Sequence, residues 1–188
     1  MIYLSAGHYS GRGGVRYGRI TEFDVTRQIT AAVFGKLDYS DVMLVPSGPL
    51  RGKVDWINNH GARSRDLAIE IHLNAWAGYR SEAPPGPESP PRGPECWIHR
   101  NAEQRTADAA REIVLSLESY WFWNRSPNVK RSAGLYFLRA TKCPAIIVEI
   151  EFIHTAAYCL AEVSPIADNL AASIVQAHEI IIAAPISA

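Results

Sequence analysis

The sequence predicts an α/β fold, a single domain over residues 1–188 with a mostly parallel central sheet of about six strands flanked by helices. Two observations carry this. Short apolar runs alternate with longer amphipathic segments, the pattern of a parallel sheet covered by helices. The composition also suffices for a core: 188 residues, 47% hydrophobic and 10% aromatic, match one globular domain and exclude disordered and fibrous architectures.

The elements follow in order. Ile2–Ser5 reads as the first strand, and Thr21 caps a helix opened by Glu22, with an inner stripe of Val25, Ile29, Val33 and Leu37. Val42–Pro46 is the second strand, Leu50–Asn59 a shorter helix closed by Gly61, and Leu67–His72 the third strand. Tyr79–Glu95 breaks the rhythm with six of the twelve prolines, which no helix or sheet interior accepts. The strands on either side read as parts of one sheet, so this segment is expected as a proline-rich surface loop and not a domain linker. Glu95–His99 is the fourth strand, and Asn101 with Gln104 resembles a capping box for a helix carrying Ala109, Ile113, Leu117 and Tyr120. Leu135–Arg139 and Ala145–Ile150 complete the sheet. Ser164 and Pro165 start a last helix whose stripe is Ile166, Leu170, Ile174, Ala177 and Ile181, ended by Pro185.

Several function classes fall away. Nineteen basic against nineteen acidic residues leave no surplus of positive charge for nucleic acid. No run approaches the roughly 20 apolar residues of a membrane span. Three cysteines, Cys96, Cys143 and Cys159, form no CxxC pair and read as reduced thiols. There is no GxSxG elbow and no HExxH; Arg16 stands where GxGxxG needs its third glycine, and neither Gly-Lys pair is followed by Ser or Thr. Met1 leads directly into the first strand, so synthesis in a cytoplasm without a signal peptide is expected.

What remains is polar residues at strand ends. His8 follows the first strand, His72 closes the third, Glu149 sits late in an apolar strand, and Glu22 opens the first helix. Each has a plain structural reading by itself: a loop histidine, a core histidine, a carboxylate favoured by a helix dipole. Strand carboxyl ends converge on the crevice of a parallel sheet, and two histidines with two glutamates arriving there suggest a zinc site.

These segments resemble the zinc-dependent N-acetylmuramoyl-L-alanine amidases of the amidase-3 type. That family opens with a strand, a Gly-His pair, a glycine-rich loop and a Glu starting the first helix, here IYLSAGHYSGRGGVRYGRITEFDVTRQI. A strand ending in Ser-Ile-His-x-Asn-Ala follows, here Glu70-Ile71-His72-Leu73-Asn74-Ala75. The third block is NRSPNVKRSAGLYFLRATKCPAIIVEIEFI, with Asn124-Arg125, Leu138-Arg139, Pro144-Ala145 and Glu149 to Ile153. The resemblance implies one Zn²⁺ per chain held by His8, Glu22 and His72, with Glu149 as catalytic carboxylate. It implies cleavage of the amide between the lactyl group of N-acetylmuramic acid and L-alanine, so that peptidoglycan is the partner.

The chain departs from the family pattern at Glu70, where serine is usual, at Glu151, where glycine is usual, and at Thr155. Strand alternation puts Glu70 on the His72 face, where it either orients that ligand or pairs with a basic neighbour. Glu151 is a lesser candidate for the catalytic base. His154, Asn74 and Arg125 are candidates for substrate or water contact, and Lys130 for a stem-peptide carboxylate. Trp76 and Tyr79 could offer an apolar wall. With no sequence left for a separate wall-binding domain, a phage endolysin released to the host wall is the expected setting. The rivals are a zinc peptidase or carboxypeptidase using the same site and a non-catalytic peptidoglycan-binding module.

Overall fold

The computed structural model describes residues 1–38, 40–75, 91–121 and 128–183. Along them run β1 (Ile2–Ala6), β2 (Arg16–Tyr17), β3 (Ile20–Thr21), α1 (Glu22–Phe34), β4 (Val42–Leu44), α2 (Leu50–Asn59), β5 (Leu67–Asn74) and β6 (Glu95–His99). There follow α3 (Gln104–Trp121), β7 (Val129–Ser132), α4 (Tyr136–Ala140), β8 (Ala145–Phe152), a 3₁₀ turn (Ile153–Thr155), α5 (Ala156–Ala161) and α6 (Val163–Ala183). Six strands form one sheet in the order β4-β1-β5-β8-β6-β7, and β2 pairs with β3 in a separate hairpin. Every pairing in the large sheet is parallel except β6 against β8.

The strands are apolar on both faces because helices cover both. Leu4, Ile69, Ile71, Ile146 and Val148 share a core with Val25 and Ile29 of α1, Ile113 of α3 and Leu170 of α6. Tyr3, Ala68 and Ile147 point the other way, onto Val54 and Ile57 of α2 and Phe137 of α4. The same alternation sets the polar residues. In register, His72 of β5 lies opposite Glu149 of β8, and Glu149 lies opposite Glu95 of β6. Three polar side chains thus cross three neighbouring strands on the α2 and α4 side of the sheet.

Some elements differ from expectation. Leu135–Arg139 is not a strand: Tyr136–Ala140 is helical, and the sixth strand is Val129–Ser132. Phe137 and Leu138 are consecutive yet both bury against the α2 core, which a strand's alternation forbids and a helical turn permits. A short apolar run does not separate these options by periodicity, and the true strand hid behind the polar sequence VKRS. α3 begins only at Gln104, so Asn101 lies ahead of its cap position; the Asn101 N–H donates to His99 Nδ1 (3.3 Å) and Gln104 Nε2 donates forward to Asp108 (2.8 Å). α6 starts one residue before Ser164, leaving Pro165 inside its first turn. Leu37 is buried, but beyond the end of α1 at Gly35. Pro185 and residues 79–90 of the proline-rich segment lie outside the described residues.

Candidate metal centre

Thr21 fixes the start of α1. Its side chain accepts from the Asp24 N–H while the Asp24 carboxylate accepts from the Thr21 N–H, a reciprocal cap. Glu22 is thereby pinned at the first helical position. Its Oε1 accepts from the Leu73 N–H (3.2 Å) and its Oε2 from the Val15 N–H (3.3 Å), so both oxygens are aimed by backbone. The same carboxylate bridges two imidazoles: His8 Nε2 lies 2.9 Å from Oε2, and His72 Nδ1 lies 2.8 Å from Oε1. One atom from each of His8, Glu22 and His72 falls within 4.8 Å of the others, and these three form a cluster able to hold a metal ion among the described residues.

The backbone is shaped around this cluster. His8 has φ 61°, a left-handed conformation uncommon for a non-glycine residue. The Thr26 hydroxyl donates to the Gly7 carbonyl (3.2 Å) and steadies that turn. A Cβ on Gly7 would sit 2.6 Å from His72 Nδ1, and one on Gly14 (φ 75°) 2.6 Å from His8 Nε2. The glycines that fit no nucleotide-binding pattern therefore clear room for the imidazole and carboxylate atoms of the cluster.

Electrostatics follow from burial and pairing. Burial alone would raise the Glu22 carboxyl, but hydrogen bonds from His72 and His8 outweigh it and hold the group at about 2. Burial would lower the His72 imidazolium, yet its bonds to Glu22 and Glu70 lift it well above the usual histidine range. Glu149 is half-buried, with an Oε2 shut off from solvent and lacking a hydrogen-bond partner among the described residues. Its carboxyl is pushed up to about 8, first by burial and then, against the pull of His72, by Glu22, Glu95 and Glu70.

The other sequence candidates divide. Glu70 lies behind His72, its Oε2 3.0 Å from Nε2 and its Oε1 2.9 Å from Lys53 Nζ, so one side chain meets both the imidazole and a basic neighbour. Glu151 is ill placed as a base. It is fully buried and its oxygens accept from Arg92 Nε (3.2 Å), the Gly93 N–H (2.9 Å) and the Phe152 N–H (2.9 Å), which anchors the segment entering β6. Asn74 is half-buried at the end of β5, just past a register shift between His72 and Asn74. His154 is half-buried in the turn after β8, with burial lowering its pKa. Lys130 lies with its ammonium 2.7 Å from Glu95 Oε2 and its side chain 30% exposed. Arg125, Trp76 and Tyr79 lie outside the described residues.

Two residues escaped the sequence. Glu95 is 2% exposed beside Glu149, where it also accepts from Trp97 Nε1 (3.1 Å). Lys53 is 3% exposed on the inner face of α2. Each is a charge at an apolar position of its element, which is the signal that could have found them.

A family profile described as N-acetylmuramoyl-L-alanine amidase matches residues 2–177. The germination-specific N-acetylmuramoyl-L-alanine amidase of Bacillus subtilis (strain 168) is 27% identical over 180 residues, covering 81% of this chain and 67% of that protein. The N-acetylmuramoyl-L-alanine amidase from Clostridium difficile 630 shares the fold with a TM-score of 0.72 at 22% identity, over 94% of this chain and 92% of that one. The CwlD amidase from Clostridioides difficile, solved in complex with the GerS lipoprotein, gives 0.74 at 18% identity, over 96% and 97% of the two chains.

Proposed function

Because the chain belongs to the Amidase_3 family of N-acetylmuramoyl-L-alanine amidases, we propose that it hydrolyses peptidoglycan, cutting the amide between the N-acetylmuramic acid lactyl group and L-alanine with one zinc ion per chain. One observation carries the reading. Three donor atoms of His8, Glu22 and His72 lie within 4.8 Å of one another, and Glu149, in register with His72, holds a buried Oε2 with no hydrogen-bond partner among the described residues. Two imidazoles and a carboxylate suit zinc, and three protein ligands leave a position for water. Bound there, zinc would bring the pKa of water from 15.7 down toward about 7 and polarise the amide carbonyl.

The chain's own groups do the rest. Glu22 is held ionised by its two histidines, which keeps it available as a ligand. Glu149 sits in register with His72 and its Oε2 has no hydrogen-bond partner among the described residues, so this carboxylate is the group to take a proton from water and return it to the departing amine. The glycines at 7 and 14 keep a Cβ from crowding the His72 imidazole and the His8 and Glu22 side chains.

The experiment is product analysis on purified peptidoglycan. The proposal expects stem peptides with a free L-alanine amino terminus and intact muramic acid, with activity and bound zinc lost together in His8→Ala and His72→Ala. Cleavage inside the stem peptide would make the protein a peptidase, and zinc-free binding without cleavage would make it a wall-binding module. Use as a lysin extends the proposal: the protein should clear suspensions of outer-membrane-permeabilised cells.

A further inference from the structure

We propose that Lys53 and Glu70 form a buried brace that commits Nδ1 of His72 to the metal and ties together the two strand ends that carry the histidines. The inference deepens the zinc-amidase reading and rests on it for the identity of the ion. Lys53 reaches up from α2 with its side chain 2% exposed, and Glu70 is 3% exposed. Isolated charges at such depth are costly, so each is there because the other is. The Lys53 ammonium donates to Glu70 Oε1 at 2.9 Å and to the Ala6 carbonyl at 2.5 Å.

Ala6 ends β1, two residues before His8; Glu70 lies in β5, two residues before His72. One ammonium therefore bonds to both arms of the centre. From its other oxygen, Glu70 Oε2 faces His72 Nε2 at 3.0 Å. A neutral imidazole has one N–H and one lone pair. With the N–H at Nε2 given to Glu70, the lone pair falls on Nδ1, the nitrogen that faces Glu22 at 2.8 Å within the three-residue cluster. Lys53 holds the carboxylate in place for this bond. A lone acceptor without the ammonium could swing away, and the imidazole could then turn either nitrogen inward.

The test measures zinc affinity by chelator competition, with no substrate present, and reads the coordinating nitrogen of His72 from ¹⁵N histidine spectra of the zinc-loaded protein. Wild type is expected to bind through Nδ1. Glu70→Ala should weaken zinc by about 10–100-fold, the usual effect of losing a partner that orients a metal ligand. Lys53→Met strands a buried carboxylate and is expected to destabilise the fold. The double variant Lys53→Met with Glu70→Gln removes both charges, and should fold yet still bind zinc at least about 10-fold more weakly than wild type. A merely structural pair would move thermal stability and leave affinity and coordination mode alone. Glu70→Ala or the double variant folding with wild-type zinc affinity, or wild type binding through Nε2, overturns the brace. Wild-type zinc binding without amidase activity would overturn the amidase reading and leave the brace standing.

Discussion

Burial lifts the carboxyl of Glu149 to about 8 from an ordinary 4.5, so between those values the folded chain holds a proton that the unfolded chain has lost. Metal-free protein should therefore lose stability as pH rises from about 5 to 8. His72 acts in the same direction: raised above 6.5, its contribution is complete below that value and is lost as pH climbs through its folded one. Glu22 acts at the other end, held at about 2, with stability that is present above 4.5 and lost as pH falls toward 2. Thermal melts in chelator should show Tm falling across pH 5–8, and Glu149→Gln should flatten the slope; an unchanged slope would locate the titrating group elsewhere. Zinc must displace protons from its ligands, so the zinc-induced rise in Tm should grow over the same interval. In the amidase assay, Glu149→Gln should keep about one zinc per chain and lose about 10²–10⁴-fold in rate, the range for a positioned acid–base group. A fully active variant would remove Glu149 from the proton path.

At the level of elements, the centre depends on where α1 begins and on how the chain turns after β1. Thr21→Ala removes the side-chain half of the cap and should cost about 1 kcal/mol by denaturant titration. Because the cap also pins Glu22, zinc affinity should fall with it. Gly14→Ala is the sharper test. The residue is outside the core, has φ 75°, and would bring a Cβ to 2.6 Å from His8 Nε2. Zinc binding should be lost with the far-ultraviolet circular dichroism unchanged, whereas a fall in helix content would mean the turn itself had collapsed. Gly18, also at positive φ but with open space around its Cβ position, is the control for backbone strain alone.

For the whole molecule, the centre is a clasp between distant parts of the chain. His8 follows β1, Glu22 starts α1 and His72 closes β5, and none of the three is brought near the others by local sequence. An ion bound to the folded chain alone stabilises it by mass action, about 2.7 kcal/mol at free zinc 100 times its Kd. For a domain of this size that is a Tm rise of about 5–10 °C, abolished by chelator and absent from His8→Ala. A metal-independent Tm in the wild type would contradict a site shared by all three segments. Among the described residues no helix is long and apolar enough to cross a membrane.

Much of this was legible in one dimension. The apolar runs at Ile2, Val42, Leu67, Glu95 and Ala145 specify strands because burial on both faces leaves a continuous hydrophobic signal. Thr21, Glu22 and the strand-end histidines stand out because polar residues at those places need a partner. Leu135–Arg139 reads as a strand yet is helical, since a run of four apolar residues fits a helical turn as well as a strand, and the packing of Phe137 and Leu138 against α2 decides between them. The layered α/β fold and the four residues around which the proposed chemistry is built can be read from the chain alone. The folded arrangement is needed to show that Glu70 answers to Lys53 and that Glu151 serves the segment entering β6. It alone placed Glu95 beside Glu149, because strand register and helix docking, not spacing along the chain, determine which buried charges meet.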